Sequence, residues 1–107
     1  MPSTFDEFEL IERYLAPLSR GEPGAFGLTD DAAELAIPPG KRVVVTTDAI
    51  IAGVHFPATE DPKTIASRLV RVNLSDLAAM GASPRGYTLV LALPDTTTPE
   101  WIAAFAQ

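Results

Sequence analysis

A chain of 107 residues has room for one small domain with one core, and 47% hydrophobic against 21% charged residues is the balance of a folded protein, which excludes disorder. Eight Lys and Arg stand against fourteen Asp and Glu, a net charge of −6, and the cations are scattered, which argues against nucleic acid as a partner. The absence of cysteine closes off disulfide scaffolds and thiolate chemistry, no run approaches the roughly eighteen apolar residues of a membrane span, and the acidic N-terminus lacks a signal-peptide pattern, so a cytoplasmic protein with no membrane partner is expected.

Ser3 and Thr4, followed by Asp6 and Glu7, signal a helix start. Phe8, Ile11, Leu15 and Leu18 follow at helical spacing with Tyr14 beside them, the pattern of an amphipathic packing helix, and Pro17 marks its end. Arg20 to Thr29 reads as a loop. Its glycines, Gly21, Gly24 and Gly27, match neither G-x-G-x-x-G nor G-x-x-x-x-G-K-[ST], so flexibility is their explanation as a group.

Asp30-Asp31-Ala32-Ala33 leads into Glu34-Leu35-Ala36-Ile37, which reads as a strand, and then a Pro38-Pro39-Gly40 turn. Two readings of the paired aspartates stand. One is turn or cap chemistry, because Asp bonds its own backbone well. The other is metal ligation.

The segment from Lys41 to Asp48 reads as the central strand, with Val43-Val44-Val45 as its buried interior. It gives way to Thr46, Thr47 and Asp48. A carboxylate at the end of a buried strand is costly unless something pairs with it. Gly53 permits a bend or the close approach of a ligand. His55, the single histidine, stands between Val54 and Phe56, where a hydrogen-bonded structural role is the ordinary one. With no cysteine and no second histidine it completes neither a zinc site nor a Cys-His pair.

Asp61-Pro62 reads as an N-cap and first helical position, opening a long helix to Met80 with Gly81 as its C-terminal cap. Ile65, Leu69, Val72, Asp76 and Met80 share one stripe, which puts Asp76 on an otherwise apolar face. Neither Arg68 nor Arg71 is three or four residues away, so its partner has to be a neighbouring loop or a cation. Gly86 to Leu93 reads as a third strand, ended by Pro94. Thr97 with Glu100, or Thr98 with Pro99, then opens a helix that reaches Gln107 without a stop signal. The expectation is the N-terminal part of a longer protein. Its fold class is α/β (α+β), a small mixed sheet flanked by helices, in a single domain over residues 1–107.

Asp30 or Asp31, Asp48 and Asp76 come from three separate elements. They offer oxygen ligands with hydroxyls beside them and no sulfur or paired imidazole. Such a set suits Mg²⁺ or Ca²⁺ rather than zinc, and points to phosphate chemistry, in which such ions neutralise developing charge.

Several stretches together are similar to one known family. They are Phe8-Glu9-Leu10-Ile11, Asp30-Asp31-Ala32-Ala33, Thr46-Thr47-Asp48-Ala49, Gly53-Val54-His55-Phe56, Val72-Asn73-Leu74-Ser75-Asp76-Leu77-Ala78-Ala79-Met80-Gly81-Ala82 and Thr88-Leu89-Val90-Leu91-Ala92-Leu93-Pro94. The chain resembles the N-terminal domain of the thiamine-monophosphate kinases, in the aminoimidazole ribonucleotide synthetase superfamily. The resemblance implies ATP-dependent phosphorylation of thiamine monophosphate to thiamine diphosphate by direct transfer with several Mg²⁺ ions. It implies metal ligation by Asp31, with Asp30 beside it, and by Thr46, Thr47 and Asp48, with Asp76 as a bridging carboxylate. It implies a substrate contact for His55, and a homodimer whose N-terminal sheets pair into a barrel, with ATP bound near that interface. Where the family has Gly-x-Gly before the aspartates, this chain has Gly27-Leu28-Thr29, and Thr29 resists positive φ. The family's C-terminal domain is absent, so these residues alone are expected to be inactive. The alternatives are a non-catalytic metal-binding or dimerisation module, and a superfamily relative with another acceptor.

Overall fold

The structure, a computed structural model, describes residues 6–107. The expected helix start at Ser3 and Thr4 lies outside the described residues. The chain divides into two compact units. One comprises the described residues up to Ala36 together with Tyr87–Gln107, and the other is Ile37–Gly86.

In the first unit, α1 (Glu7–Leu10) opens at Asp6, whose Oδ1 accepts the Glu9 N–H at 2.8 Å. Its helical path continues as a widened π turn over Ile11–Leu15 and a 3₁₀ turn over Ala16–Ser19. The π turn closes with the Ala16 N–H donating to the Ile11 carbonyl, directly before Pro17, which has no N–H for the helix ladder. Two short 3₁₀ turns follow within Pro23–Leu28, separated by a kink at Phe26 and Gly27 where the backbone leaves the helical region.

α2 (Pro62–Ala79) belongs to the second unit, and both its ends are closed as the sequence predicts. Asp61 accepts the Thr64 N–H at 3.2 Å, satisfying one of the free donors of the first turn. At the other end Gly81 takes φ 67°, while the Gly81 N–H reaches the Ala78 carbonyl and the Ala82 N–H the Leu77 carbonyl, each at 3.0 Å. This is a Schellman closure, which needs a left-handed residue after the cap. α3 (Pro99–Phe105), back in the first unit, opens on Thr98, whose Oγ1 accepts the Trp101 N–H at 3.2 Å, the second of the two caps read from sequence.

The expected mixed sheet is not formed. Among the described residues there is no strand, and a single bridge, Ala52 with Phe56, is the whole of the β pairing. A strand exists only through hydrogen bonds to a neighbour. Residues 42–50 and 86–93 make no backbone–backbone hydrogen bond among the described residues. Their apolar side chains therefore stay in contact with solvent, Val45 at 81% and Val90 at 91% exposure. The buried apolar residues sit on helices instead: Ile65 on α2, and Ile102 and Phe105 on α3, where Trp101 stacks on Phe105 with ring centres 5.4 Å apart.

Gly81 has open space where a Cβ would stand, so its cost on substitution comes from φ alone. Gly81→Ala is expected to destabilise the protein by about 1 kcal/mol. Chemical denaturation measures this, and an unchanged midpoint would mean that α2 does not depend on the closure.

Candidate functional site

The 37–86 unit carries Thr46, Thr47, Asp48, His55 and Asp76. Asp76 stands in the last turn of α2, and Thr46 directs its Oγ1 hydroxyl to Asp76 Oδ2 at 3.4 Å, across thirty residues of sequence. The distance is long for an O–H donor, so it marks two oxygen ligands in proximity more than a strong bond. Asp76 is exposed, as is Met80 beyond it, whereas Ile65 at the other end of the same stripe is buried. The stripe loses its cover toward the C-terminus of α2, and Asp76 needs no buried partner. Asn73, one turn earlier, donates to the Leu69 carbonyl of its own helix at 2.9 Å.

Asp48 is also exposed, because the strand expected to bury its neighbours is absent. Its Oδ1 accepts the Ala49 N–H at 2.8 Å, and its second oxygen has no protein partner among the described residues. Thr47 between them is exposed and Thr46 half-buried.

His55 closes a tight turn. The Ile51 N–H donates to His55 Nδ1 at 2.9 Å, and the His55 N–H returns to the Ile51 carbonyl at 2.8 Å. Within the turn the Gly53 N–H reaches the Phe56 carbonyl at 2.7 Å. Arg68 of α2 donates through Nη1 to the His55 carbonyl at 3.3 Å, and its Nη2 lies 3.9 Å from Glu60 Oε2.

Asp30 and Asp31 belong to the other unit. Asp30 Oδ1 accepts the Asp31 N–H at 2.8 Å, the turn chemistry that Asp favours, and the Asp31 carboxylate is exposed without a protein partner among the described residues. Their loop is closed at its base by the Glu34 N–H on the Gly24 carbonyl at 2.8 Å. A Cβ on Gly24 would collide with the Glu34 carbonyl, so close approach, rather than flexibility, explains this glycine. Positive φ falls on Phe26 (52°), Gly27 (63°) and Leu28 (60°). Thr29 sits at φ −106° and turns its Oγ1 onto the Phe26 carbonyl at 2.7 Å, so its Cβ meets no left-handed strain.

Among the described residues no three His, Cys, Asp or Glu side chains come together in a group able to hold a metal ion. None of their helices is long and apolar enough to cross a membrane. One feature was not read from the sequence. Lys63, Thr64, Ser67, Arg68, Arg71 and Ser75 line a shallow groove along α2, so three of the scattered cations share one helix face. The spacing of four from Lys63 through Ser67 and Arg71 to Ser75 is the signal that marks such a face.

This chain belongs to the family described as AIR synthase related protein, N-terminal domain, whose model matches residues 29–107. Within that family it is similar to thiamine-monophosphate kinases. That of Caulobacter vibrioides is 52% identical over 88 residues, covering 82% of this chain and 25% of the relative. That of Synechococcus elongatus is 45% identical over 100 residues, covering 92% and 31%, and that of Escherichia coli 42% over 102 residues, covering 94% and 31%. The chain thus spans between a quarter and a third of the length of these curated relatives. No solved structure matches it.

Because the Thr46–Asp76 contact is long and lies at the surface, Thr46→Val is expected to change stability by less than about 0.5 kcal/mol. Urea denaturation checks this, and a larger loss would make the contact structural rather than a pair of available ligands.

Proposed function

We propose that these residues are the N-terminal ATP- and Mg²⁺-binding part of a kinase that transfers a phosphoryl group from ATP to thiamine monophosphate, giving thiamine diphosphate. The observation that carries this is the likeness to thiamine-monophosphate kinases, 52% identical over 88 residues in one case. The activity belongs to the whole protein, as a homodimer with ATP near the interface, and these 107 residues alone do not turn over.

The donor set suits Mg²⁺. It consists of carboxylate and hydroxyl oxygens, the hard ligands that this cation takes. Mg²⁺ is held by one or two carboxylates together with waters and substrate phosphates, so a cage of three protein acids is not required. In this reading Thr46, Thr47, Asp48 and Asp76 would hold the ions, and Asp31, with Asp30 beside it, would be a further metal ligand. Bound Mg²⁺ supplies charge neutralisation on the transferring phosphate oxygens. The chain's own contribution is positioning. The Thr46 hydroxyl stands 3.4 Å from one oxygen of Asp76, and the Ala49 amide holds one oxygen of Asp48 while its other oxygen stays available. His55 contacts the substrate.

In the whole protein, Asp48→Asn is expected to lower turnover with ATP and thiamine monophosphate by about 100-fold or more, since several kcal/mol of charge stabilisation rest on the ions. Calorimetric titration of Mg²⁺ in the presence of ATP is expected to lose its binding heat in the same variant. Equal Mg²⁺ binding and turnover in wild type and Asp48→Asn would rule out the assignment of Asp48.

A further inference from the structure

The turn around His55 determines which of its two nitrogens carries the proton. A neutral imidazole has one N–H and one lone pair in its plane. Nδ1 accepts the Ile51 N–H at 2.9 Å, so Nδ1 presents the lone pair and the proton resides on Nε2. The side chain is exposed and Nε2 has no protein partner among the described residues. Its turn is held from outside by Arg68, thirteen residues on in α2, which donates to the His55 carbonyl at 3.3 Å. Arg68 is in turn steadied by Glu60 at 3.9 Å, and Glu60 lies between the turn and the start of α2 in the sequence.

We infer that Arg68 is a positioning residue that keeps the Ile51 amide aimed at His55 Nδ1, so that His55 meets its ligand as an Nε2–H hydrogen-bond donor and not as a base. The ligand group opposite is therefore an acceptor, of which a phosphate oxygen is the kind a phosphorylated substrate offers. A proton-abstracting role for Nε2 is excluded while the turn is closed. This rests on the reading of His55 as a substrate contact, but the tautomer and the part played by Arg68 are properties of the unliganded protein.

The experiment is ¹⁵N NMR of the protein labelled at histidine, at a pH where the ring is neutral, with His55 assigned by the loss of its signals in His55→Gln. Wild type is expected to show a pyridine-like Nδ1 and a pyrrole-like Nε2. In Arg68→Gln the Nδ1–H tautomer is expected to rise about fivefold, the factor that one ordinary hydrogen bond supports. Arg68→Lys, which keeps a donor and the charge facing Glu60, returns the population toward wild type. Glu60→Gln leaves the Arg68 donor in place and gives a smaller shift in the same direction, which keeps the test open if Arg68→Gln fails to fold. A pyrrole-like Nδ1 in wild type, or a tautomer ratio unmoved in folded Arg68→Gln and Glu60→Gln, overturns the inference. In the whole protein Arg68→Gln is then expected to raise KM for thiamine monophosphate about fivefold with kcat held within about twofold, the pattern of lost ground-state binding. A shifted tautomer with an unchanged KM supports the inference and overturns the reading of His55 as a substrate contact.

Discussion

The peptide groups at the ends of a helix have to find partners, and in α2 both ends do so locally. Asp61 takes a first-turn amide, and Gly81 turns left-handed so that two amides return to the last carbonyls. Eighteen residues are thereby held as one rigid rod. Two candidate residues of the 37–86 unit, Thr46 through its side chain and His55 through its carbonyl, are tied to this rod. Thr46 meets Asp76 near one end, and the His55 turn meets Arg68 in the middle. The geometry of the site is thus referred to α2, while the segments that bring Thr46, Asp48 and His55 to it carry no ladder of their own.

The charges follow a related logic. All the candidate carboxylates, Asp30, Asp31, Asp48 and Asp76, are exposed, so water solvates them and none has to be neutralised by burial. Asp30 and Asp48 spend one oxygen on an adjacent backbone amide, which orients the carboxylate without consuming its second oxygen. An open set of hydrated, partly oriented oxygens suits a cation that keeps much of its own water shell and shares the rest with phosphate.

What could be read from the sequence divides along one physical line. Caps depend on residues within four positions of each other, so Asp61, Thr98 and Gly81 were readable, as was the turn chemistry of Asp30. Strands depend on a partner that can be anywhere. The valines at 43–45 mark a segment suited to a sheet but say nothing about what pairs with it, and the structure leaves it unpaired. The spacing aligns Asp76 with Ile65 on α2, but the burial expected of that stripe does not reach Asp76, because exposure turns on what covers that end of the helix. Thr46 as the partner of Asp76 and Arg68 as the support of His55 span thirty and thirteen residues, and no local pattern announces either. Gly24 was read as flexible because its spacing matched no motif, while its real constraint is a carbonyl ten positions further on.

That close approach has a practical consequence. The hydrogen bond from the Glu34 N–H to the Gly24 carbonyl fastens the two feet of the segment bearing Asp30 and Asp31. Closing a flexible loop costs only a logarithmic amount in its length, about 0.6 kcal/mol for each doubling. A peptide epitope inserted between the feet, with Asp30 and Asp31 kept, therefore adds little to the cost of closing the loop. The segment is a natural cassette for reporters placed beside the acidic pair, provided that Gly24 itself is left alone.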